Sequence, residues 1–269
     1  MKRMKKLVTF VVYYIYAALS CVFLFTVGIL RGRNRAFLYK IASHFGPFDA
    51  DPDTCKPLLP TVTPREILPA DMHVHILEPV AVDGNVTILE LLIIIQLARQ
   101  HGALDCFEVG TFDGRTTLNL AVNCAEQGKV YTLDLPQEAL GKTSLAIEQG
   151  DIAYIAKPIS GARFRGTPHE HKIVQLYGDS STFDYSPYRN RMDLVFIDGS
   201  HSYDYALNDS RRAVELLREG KGVILWHDYG GVCDGVTRCL NGLYGSEPNF
   251  RGLRHIEGTS LACLVCNGR

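Results

Sequence analysis

The sequence predicts an α/β fold: a doubly wound, mostly parallel seven-stranded sheet with a C-terminal antiparallel strand, preceded by one N-terminal transmembrane helix. Between residues 104 and 228, short apolar runs alternate with amphipathic stretches, the pattern of parallel strands joined by right-handed crossovers. The last two apolar runs, 253–258 and 260–266, are too close together for a crossover and are expected to pair antiparallel. An uncharged stretch at residues 7–30 precedes this region.

The uncharged stretch predicts a membrane anchor, which we place in residues 1–40 with its span at 7–30. Its 24 residues contain no charge, and as a helix they would measure about 36 Å, enough to cross a hydrocarbon core of about 30 Å. A cleaved signal peptide is the alternative, but its apolar region would be only about 7–15 residues long. Basic residues flank both sides, so the positive-inside rule does not fix the orientation.

Residues 41–80 are expected to form a Pro-rich tether, and residues 81–269 the folded domain. Six of the 12 prolines lie between the anchor and residue 70. Proline removes a backbone donor and fixes φ, so regular structure is not predicted in this stretch.

The charge balance excludes one class of partner. Residues 1–40 hold eight basic and no acidic residues, which leaves 20 basic and 29 acidic residues for 41–269. Phosphate backbones bind basic surfaces, so no nucleic-acid partner is predicted.

The elements of the domain follow in order. Thr87 and Glu90 form a capping box at the start of an apolar helix that ends before Gly102. The remaining elements are expected as strand 104–110, helix 115–127, strand 129–134, strand 172–179, strand 192–198, helix 205–219, strand 222–228 and the final antiparallel pair.

Acidic residues stand at the ends of the predicted strands, where open α/β sheets bind ligands. They are Glu108, Asp113, Asp134, Asp179, Asp198 and Asp228. The pyrophosphate of a dinucleotide would be repelled there, whereas the ammonium and sulfonium groups of S-adenosylmethionine fit this charge pattern.

The first strand-end loop supports this interpretation. Gly110 and Gly114 stand four residues apart, where a ligand is expected to approach the backbone closely. The loop lacks the G-x-G-x-x-G spacing of dinucleotide-binding proteins. Asp134 follows Gly110 by 24 residues at the next strand end, where an acid can accept both ribose hydroxyls.

Over roughly residues 85–267, the sequence resembles the class I S-adenosylmethionine-dependent methyltransferases, closest to the macrocin-type and catechol-type O-methyltransferases. The motifs that carry the resemblance are FEVGTFDGRTT, YGDSS, FIDGSHSYDYALND and ILWHDYGGV. The resemblance implies a Rossmann-like methyltransferase fold, S-adenosylmethionine as cofactor, and methyl transfer to a hydroxyl of a small molecule or sugar. It also implies that the cofactor is bound by Glu108, Gly110, Thr111, Gly114, Asp134, Asp179, Ser180 and Asp198.

The same resemblance supplies the predicted catalytic residues. In these O-methyltransferases, acids at the positions of Asp198 and Asp228 bind a divalent cation, here expected to be Mg²⁺, and a basic side chain at the position of His201 deprotonates the acceptor. The sequence departs from the pattern at Tyr229, where catechol-type enzymes have an amide ligand. His227 is expected to point to the opposite face, away from the site.

Two alternatives remain open at this stage. One is a binding module that keeps the cofactor site without turnover, and the less favoured one is a nicotinamide-dependent oxidoreductase. Because S-adenosylmethionine is made in the cytosol, a single-pass membrane protein with a cytoplasmic catalytic domain is expected. The sequence predicts no oligomeric state.

Overall fold

The structure is a computed structural model, and it describes residues 2–32, 34, 35, 38, 55–69, 71–231 and 234–268. The chain divides into two compact units, Met1–Thr54 and Cys55–Arg269. Arg33, Lys40 and residues 41–54 of the predicted tether lie outside the described residues.

The N-terminal unit contains one long helix, α1, at Lys2–Phe25, followed by a 3₁₀ turn at Val27–Leu30. The helix therefore ends before the predicted limit of the span, at a turn where the Thr26 hydroxyl donates to the carbonyl of Val22. Among the described residues, one segment, Lys6–Phe25, is long and apolar enough to cross a membrane, with a mean hydropathy of 2.2. Signal sequences and buried core helices share these properties, so the length and composition of α1 alone do not identify an anchor.

Within the described residues, the second unit contains an eight-stranded sheet in the order β1-β7-β8-β6-β5-β2-β3-β4. The strands are β1 Thr61–Val62, β2 Asp105–Val109, β3 Lys129–Asp134, β4 Ile173–Tyr177, β5 Leu194–Ile197, β6 Lys221–Trp226, β7 Arg254–Ile256 and β8 Ala262–Asn267. All pairs are parallel except those of β8, which runs antiparallel to β6 and β7. The predicted mostly parallel sheet with a C-terminal antiparallel strand is confirmed.

The strand β1 corrects two details of the prediction: the sheet has eight strands rather than seven, and the segment expected as a tether contains regular structure. Thr61 pairs with His255 in β7, and the carbonyl of Pro60 accepts a hydrogen bond from the His255 amide. The prolines are compatible with this because an edge strand needs hydrogen bonds on one side only. A short helix, α2, follows at Pro64–Ile67.

Helices cover both faces of the sheet. Their bounds are α3 Ile88–Gln100, α4 Arg115–Asn123, α5 Ile152–Ile155, α6 Tyr203–Leu216 and α7 Asp234–Ser246. One apolar core contains side chains of α3 and α4, and a second contains side chains of α6 and α7. This arrangement leaves the carboxyl ends of the parallel strands as the edge at which loops meet.

The first helix of the domain begins as predicted. Thr87 accepts a hydrogen bond from the Glu90 amide, and the Glu90 carboxylate accepts from the Thr87 amide and hydroxyl, each at 2.8 Å. Seven residues of α3 are buried, which agrees with its apolar circumference. Glu90 is one of them, and its position becomes important at the site below.

Candidate active site

A cavity of about 780 Å³ lies beyond the carboxyl ends of the central parallel strands. Its volume is within the range of sites for small molecules and cofactors, about 300–1,000 Å³. Among its lining residues are Gly110, Asp134, Asp179, Ser180, Asp198, His201, His227 and Asp228. Loops that are distant in sequence thus bring most of the predicted site residues to one cavity.

Gly110 is required where two strand-end loops touch. Its φ is +96°, and a Cβ there would overlap the carbonyl oxygen of Asp198. Any other residue would therefore force apart the loops that follow β2 and β5.

Glu108 and Thr111, both predicted to bind the cofactor, lie beneath the cavity and not among its lining residues. Glu108 is 1% exposed and accepts hydrogen bonds from the hydroxyls of Thr117 and Thr132. Burial raises its pKa to about 8, although the two hydroxyls oppose this shift. The Thr111 hydroxyl is bonded to Thr132 Oγ1 at 2.7 Å. Both residues support the loop from below, because the side chain of Glu108 leaves β2 toward helix α4.

Gly114, also predicted to bind the cofactor, packs against another loop of the protein. It is the N-cap of α4 with φ of +84°, and a Cβ there would lie 2.6 Å from the ring of Phe164 and 2.8 Å from Gly161 Cα. The close approach is therefore to the protein's own loop at 160–166. Asp113 also contacts this loop, through an ion pair with Arg163 at 2.6 Å.

Asp134 reaches the cavity from the end of β3, as predicted. Its Oδ2 atom lies 2.6 Å from the Lys157 ammonium and accepts from the Ser160 hydroxyl at 2.5 Å. Its Oδ1 atom accepts one long hydrogen bond, from the Thr111 amide at 3.4 Å. Oδ1 therefore retains capacity to accept hydrogen bonds from a ligand.

Asp179 follows β4 and lines the cavity together with Ser180. It accepts hydrogen bonds from the Ser144 amide at 2.8 Å, the Ser181 amide at 2.9 Å and the Tyr205 hydroxyl at 2.9 Å. Burial alone would raise the pKa of Asp179, but these hydrogen bonds outweigh it and the pKa is lowered. Burial and the Asp179 charge raise the pKa of Tyr205 to about 12.

His201 is held between two carboxylates. Its Nδ1 atom is bonded to Asp151 Oδ1, and its Nε2 atom lies 2.9 Å from Asp228 Oδ2. Asp151 also accepts from the His201 amide at 3.1 Å and from the Ser200 hydroxyl at 2.8 Å. Asp151 is 5% exposed and comes from a 3₁₀ turn 50 residues upstream, in a segment whose sequence carries no motif, so sequence reasoning missed it.

His227 points into the site, contrary to the prediction that it faces away. Its Nδ1 atom lies 2.9 Å from Asp228 Oδ2 and 3.1 Å from Asp198 Oδ1, and its Nε2 atom lies 3.5 Å from Glu90 Oε2. Burial would lower the pKa of His227, but the three carboxylates outweigh it and hold the pKa well above its usual range. The prediction for His227 assumed that side chains alternate between the two faces of the sheet along the whole strand. This alternation ends at Asp228, whose φ is +62°.

Asp198, His227 and Asp228 offer one ligand atom each within 4.8 Å of one another. Neighbouring ligands of an octahedral ion with bonds of about 2.1 Å are about 3 Å apart, close to the 2.9 and 3.1 Å from His227 Nδ1 to the two carboxylates. The donor set therefore fits a divalent ion.

Tyr229 takes no part in this donor set and instead anchors the segment before β1. It is 1% exposed, and its hydroxyl accepts from the amides of Leu58 and Leu59, each at 2.8 Å, and donates to Asn241 Oδ1 at 2.7 Å. The departure from the catechol-type pattern at this position therefore has a structural role.

Part of the chain matches a known domain family. Residues 107–229 match a family model described as a methyltransferase domain. None of the curated proteins compared matches the sequence. The match begins within β2 and ends at the residue after Asp228, so it contains three of the motifs that carried the resemblance and the first six residues of the fourth, ILWHDYGGV.

Solved structures share the fold at low sequence identity. A protein from Klebsiella pneumoniae, provisionally described as an O-methyltransferase, superposes with a TM-score of 0.50 at 16% identity, covering 70% of this chain and 84% of that one. The O-methyltransferase TomG from Streptomyces achromogenes, solved with S-adenosylmethionine, gives a TM-score of 0.47 at 19% identity, covering 68% and 82%. The superposition with the Klebsiella pneumoniae structure confirms the predicted Rossmann-like methyltransferase fold.

Proposed function

We propose that this chain, which has the class I methyltransferase fold and carries a methyltransferase domain, transfers a methyl group from S-adenosylmethionine to a hydroxyl of a small molecule or sugar. The observation that carries the proposal is the meeting of Gly110, Asp134 and Asp179 in the lining of one cavity beyond the strands. An acidic wall favours a cofactor that bears an ammonium and a sulfonium.

The cofactor is proposed to bind along the loops that follow β2, β3 and β4. Asp134 would accept the ribose hydroxyls through Oδ1, and Asp179 with Ser180 would meet the adenine. Glu108, Thr111 and Gly114 would act indirectly, by holding the loop that Gly110 begins.

His201 is proposed as the general base. The cofactor supplies an electrophilic methyl group bonded to sulfur. The acceptor oxygen forms a bond to that carbon as the carbon–sulfur bond breaks, and the hydroxyl proton passes to His201 Nε2. Both ring nitrogens face carboxylates, an arrangement satisfied when both carry protons, so Nε2 must release its proton to water before it can accept the hydroxyl proton.

Asp198 and Asp228 are proposed to hold a divalent ion beside this base, with His227 as a third ligand. Such an ion would polarise an acceptor hydroxyl and favour its ionised form. The residues of the chain would fix the ion between β5 and β6, next to the loop that carries His201.

The N-terminal helix is proposed to anchor the enzyme in a membrane, with the catalytic domain in the cytoplasm. The support for this is the length and hydropathy of Lys6–Phe25 and the basic residues on both sides of it.

The test is methyl transfer itself. The full chain in detergent is incubated with radiolabelled S-adenosylmethionine and a panel of catechols, sugars and lipid extracts. We expect label in a hydroxyl acceptor, with the rate reduced about 10²–10⁴-fold by His201→Ala while cofactor affinity stays nearly unchanged. Label transfer at the wild-type rate by His201→Ala would remove His201 from the mechanism, and S-adenosylhomocysteine binding without transfer to any acceptor would support the inactive binding module instead.

A further inference from the structure

Glu90 is a buried acid fixed beside the candidate metal centre by hydrogen bonds on both oxygens. It is 3% exposed. Its Oε2 atom accepts from the amide and hydroxyl of Thr87, and its Oε1 atom accepts from the amide of Ser260 at 2.8 Å and the hydroxyl of Ser260 at 2.9 Å. With four donors directed at it from two segments, the carboxylate cannot rotate away.

The fixed carboxylate decides how His227 is oriented. Glu90 Oε2 lies 3.5 Å from His227 Nε2 on the side of the ring away from Asp198 and Asp228. With Nε2 protonated against Glu90, Nδ1 is the nitrogen that faces Asp198 and Asp228, and its lone pair becomes available to a metal ion that displaces the Nδ1 proton. Histidines that bind metals usually donate their other nitrogen to a carboxylate in this way.

We propose that Asp198, Asp228 and His227 bind a transition-metal ion in preference to Mg²⁺, and that Glu90 is the positioning residue that sets this preference. The inference rests on the metal centre of the proposed function and replaces the Mg²⁺ expected from the sequence. Mg²⁺ favours oxygen ligands in octahedral geometry, whereas an imidazole nitrogen favours ions such as Fe²⁺, Co²⁺ and Zn²⁺.

The contacts around His227 support a nitrogen ligand. A metal site made only of oxygen ligands would need no acid facing His227 Nε2. Here helix α3 supplies such an acid, the buried Glu90, whose hydrogen bonds hold its carboxylate in place. The capping box that begins α3 therefore has a second use, because it keeps the Oε2 atom of Glu90 pointed at the histidine.

The test is metal binding by the full chain in detergent, without cofactor or acceptor, measured by calorimetry with Co²⁺ or Mg²⁺ alone and by the visible spectrum of bound Co²⁺. We expect one Co²⁺ site at least 100-fold tighter than Mg²⁺. Because most sites favour Co²⁺ over Mg²⁺, the diagnostic variant is His227→Asp. We expect this variant to reduce the ratio of Co²⁺ affinity to Mg²⁺ affinity at least tenfold and to change the Co²⁺ spectrum.

Glu90→Gln tests the positioning role. We expect Co²⁺ affinity to fall about 10- to 100-fold, the usual effect of losing the outer partner of a metal ligand. Glu66→Gln is the matched control, because Glu66 forms the same capping box with Thr63 at the start of α2, and it should leave Co²⁺ affinity unchanged. If Glu90→Gln does not fold, Ser260→Ala removes one of the four donors, the hydroxyl, while the backbone amide of residue 260 remains, and it should lower Co²⁺ affinity by about threefold.

Three results would overturn the inference: equal affinity for Mg²⁺ and Co²⁺, an unchanged Co²⁺ spectrum in His227→Asp, or equal losses in Glu90→Gln and Glu66→Gln. Binding of S-adenosylhomocysteine, measured on the same preparation, reports on the proposed methyltransferase separately. Failure of the metal inference is thereby distinguished from failure of the proposed function.

Discussion

Asp151 and His201 are hydrogen-bonded although 50 residues separate them in the chain. The carboxylate also accepts from the backbone amide of His201, so one side chain fixes both the ring and the loop that carries it. Such an acid beside a histidine base sets the tautomer and orientation of the imidazole.

We expect Asp151→Asn to lower methyl transfer about 10- to 100-fold while changing the affinity for S-adenosylhomocysteine by less than threefold. An amide at this position can donate to the ring nitrogen and so favours the wrong tautomer. The assay uses the acceptor found in the labelling screen, and Glu138→Gln, an exposed acid earlier in the same connection, is the control. An unchanged rate would show that Asp151 holds only the loop.

The buried Glu108 predicts a pH dependence of stability. Its pKa is about 8 in the folded chain against an ordinary 4.5, so between these values the folded state binds more protons than the unfolded state. Stability from this group is therefore present below about pH 4.5 and is lost as the pH rises to about 8. Urea unfolding measures this. Between these pH values, the free energy of unfolding should fall by about 2–4 kcal/mol less in Glu108→Gln than in wild type. Parallel curves for the two proteins would contradict the assignment.

Tyr229→Phe should destabilise the second unit by about 2 kcal/mol. The substitution removes the hydroxyl that accepts from the Leu59 amide, whereas the Leu58 amide keeps Asn241 Oδ1 as an acceptor at 3.1 Å, and an unpaired buried donor costs about 1–3 kcal/mol. Tyr244→Phe in α7 is the control and should change the free energy of unfolding by less than about 0.5 kcal/mol. Urea unfolding measures both, and equal effects would mean that the hydroxyl of Tyr229 does not anchor the segment.

The proposed anchor has a direct test in cells. The full chain should remain in the membrane fraction after alkaline carbonate washing, and removal of residues 1–40 should release it. A mature N-terminus near Cys21 would identify a signal peptide instead. A reporter fused after Arg269 should be active in the cytoplasm, and activity only outside would reverse the proposed orientation.

The order of strands and helices was predictable because each element has a local pattern, as in the capping box of Thr87 and Glu90. The directions of side chains at the strand ends were harder to predict from the sequence. Gly114 leaves room for the ring of Phe164, which lies far from it in the sequence. His227 points into the site where the strand alternation ends, at Asp228, whose φ is positive. Asp151 was invisible to sequence reasoning because only the tertiary fold brings it to His201. The strand β1 was missed because Pro60 and Pro64 suggested an irregular tether.

The central claim is that the strand-end cavity binds an adenosyl cofactor through Asp134. It is tested most directly by calorimetry of the full chain in detergent with S-adenosylhomocysteine and, separately, with NADH. We predict one site for S-adenosylhomocysteine, weakened at least tenfold in Asp134→Ala through loss of hydrogen bonds to a charged acceptor, and unchanged in the exposed control Asp204→Asn. Binding of NADH without binding of S-adenosylhomocysteine would contradict the account.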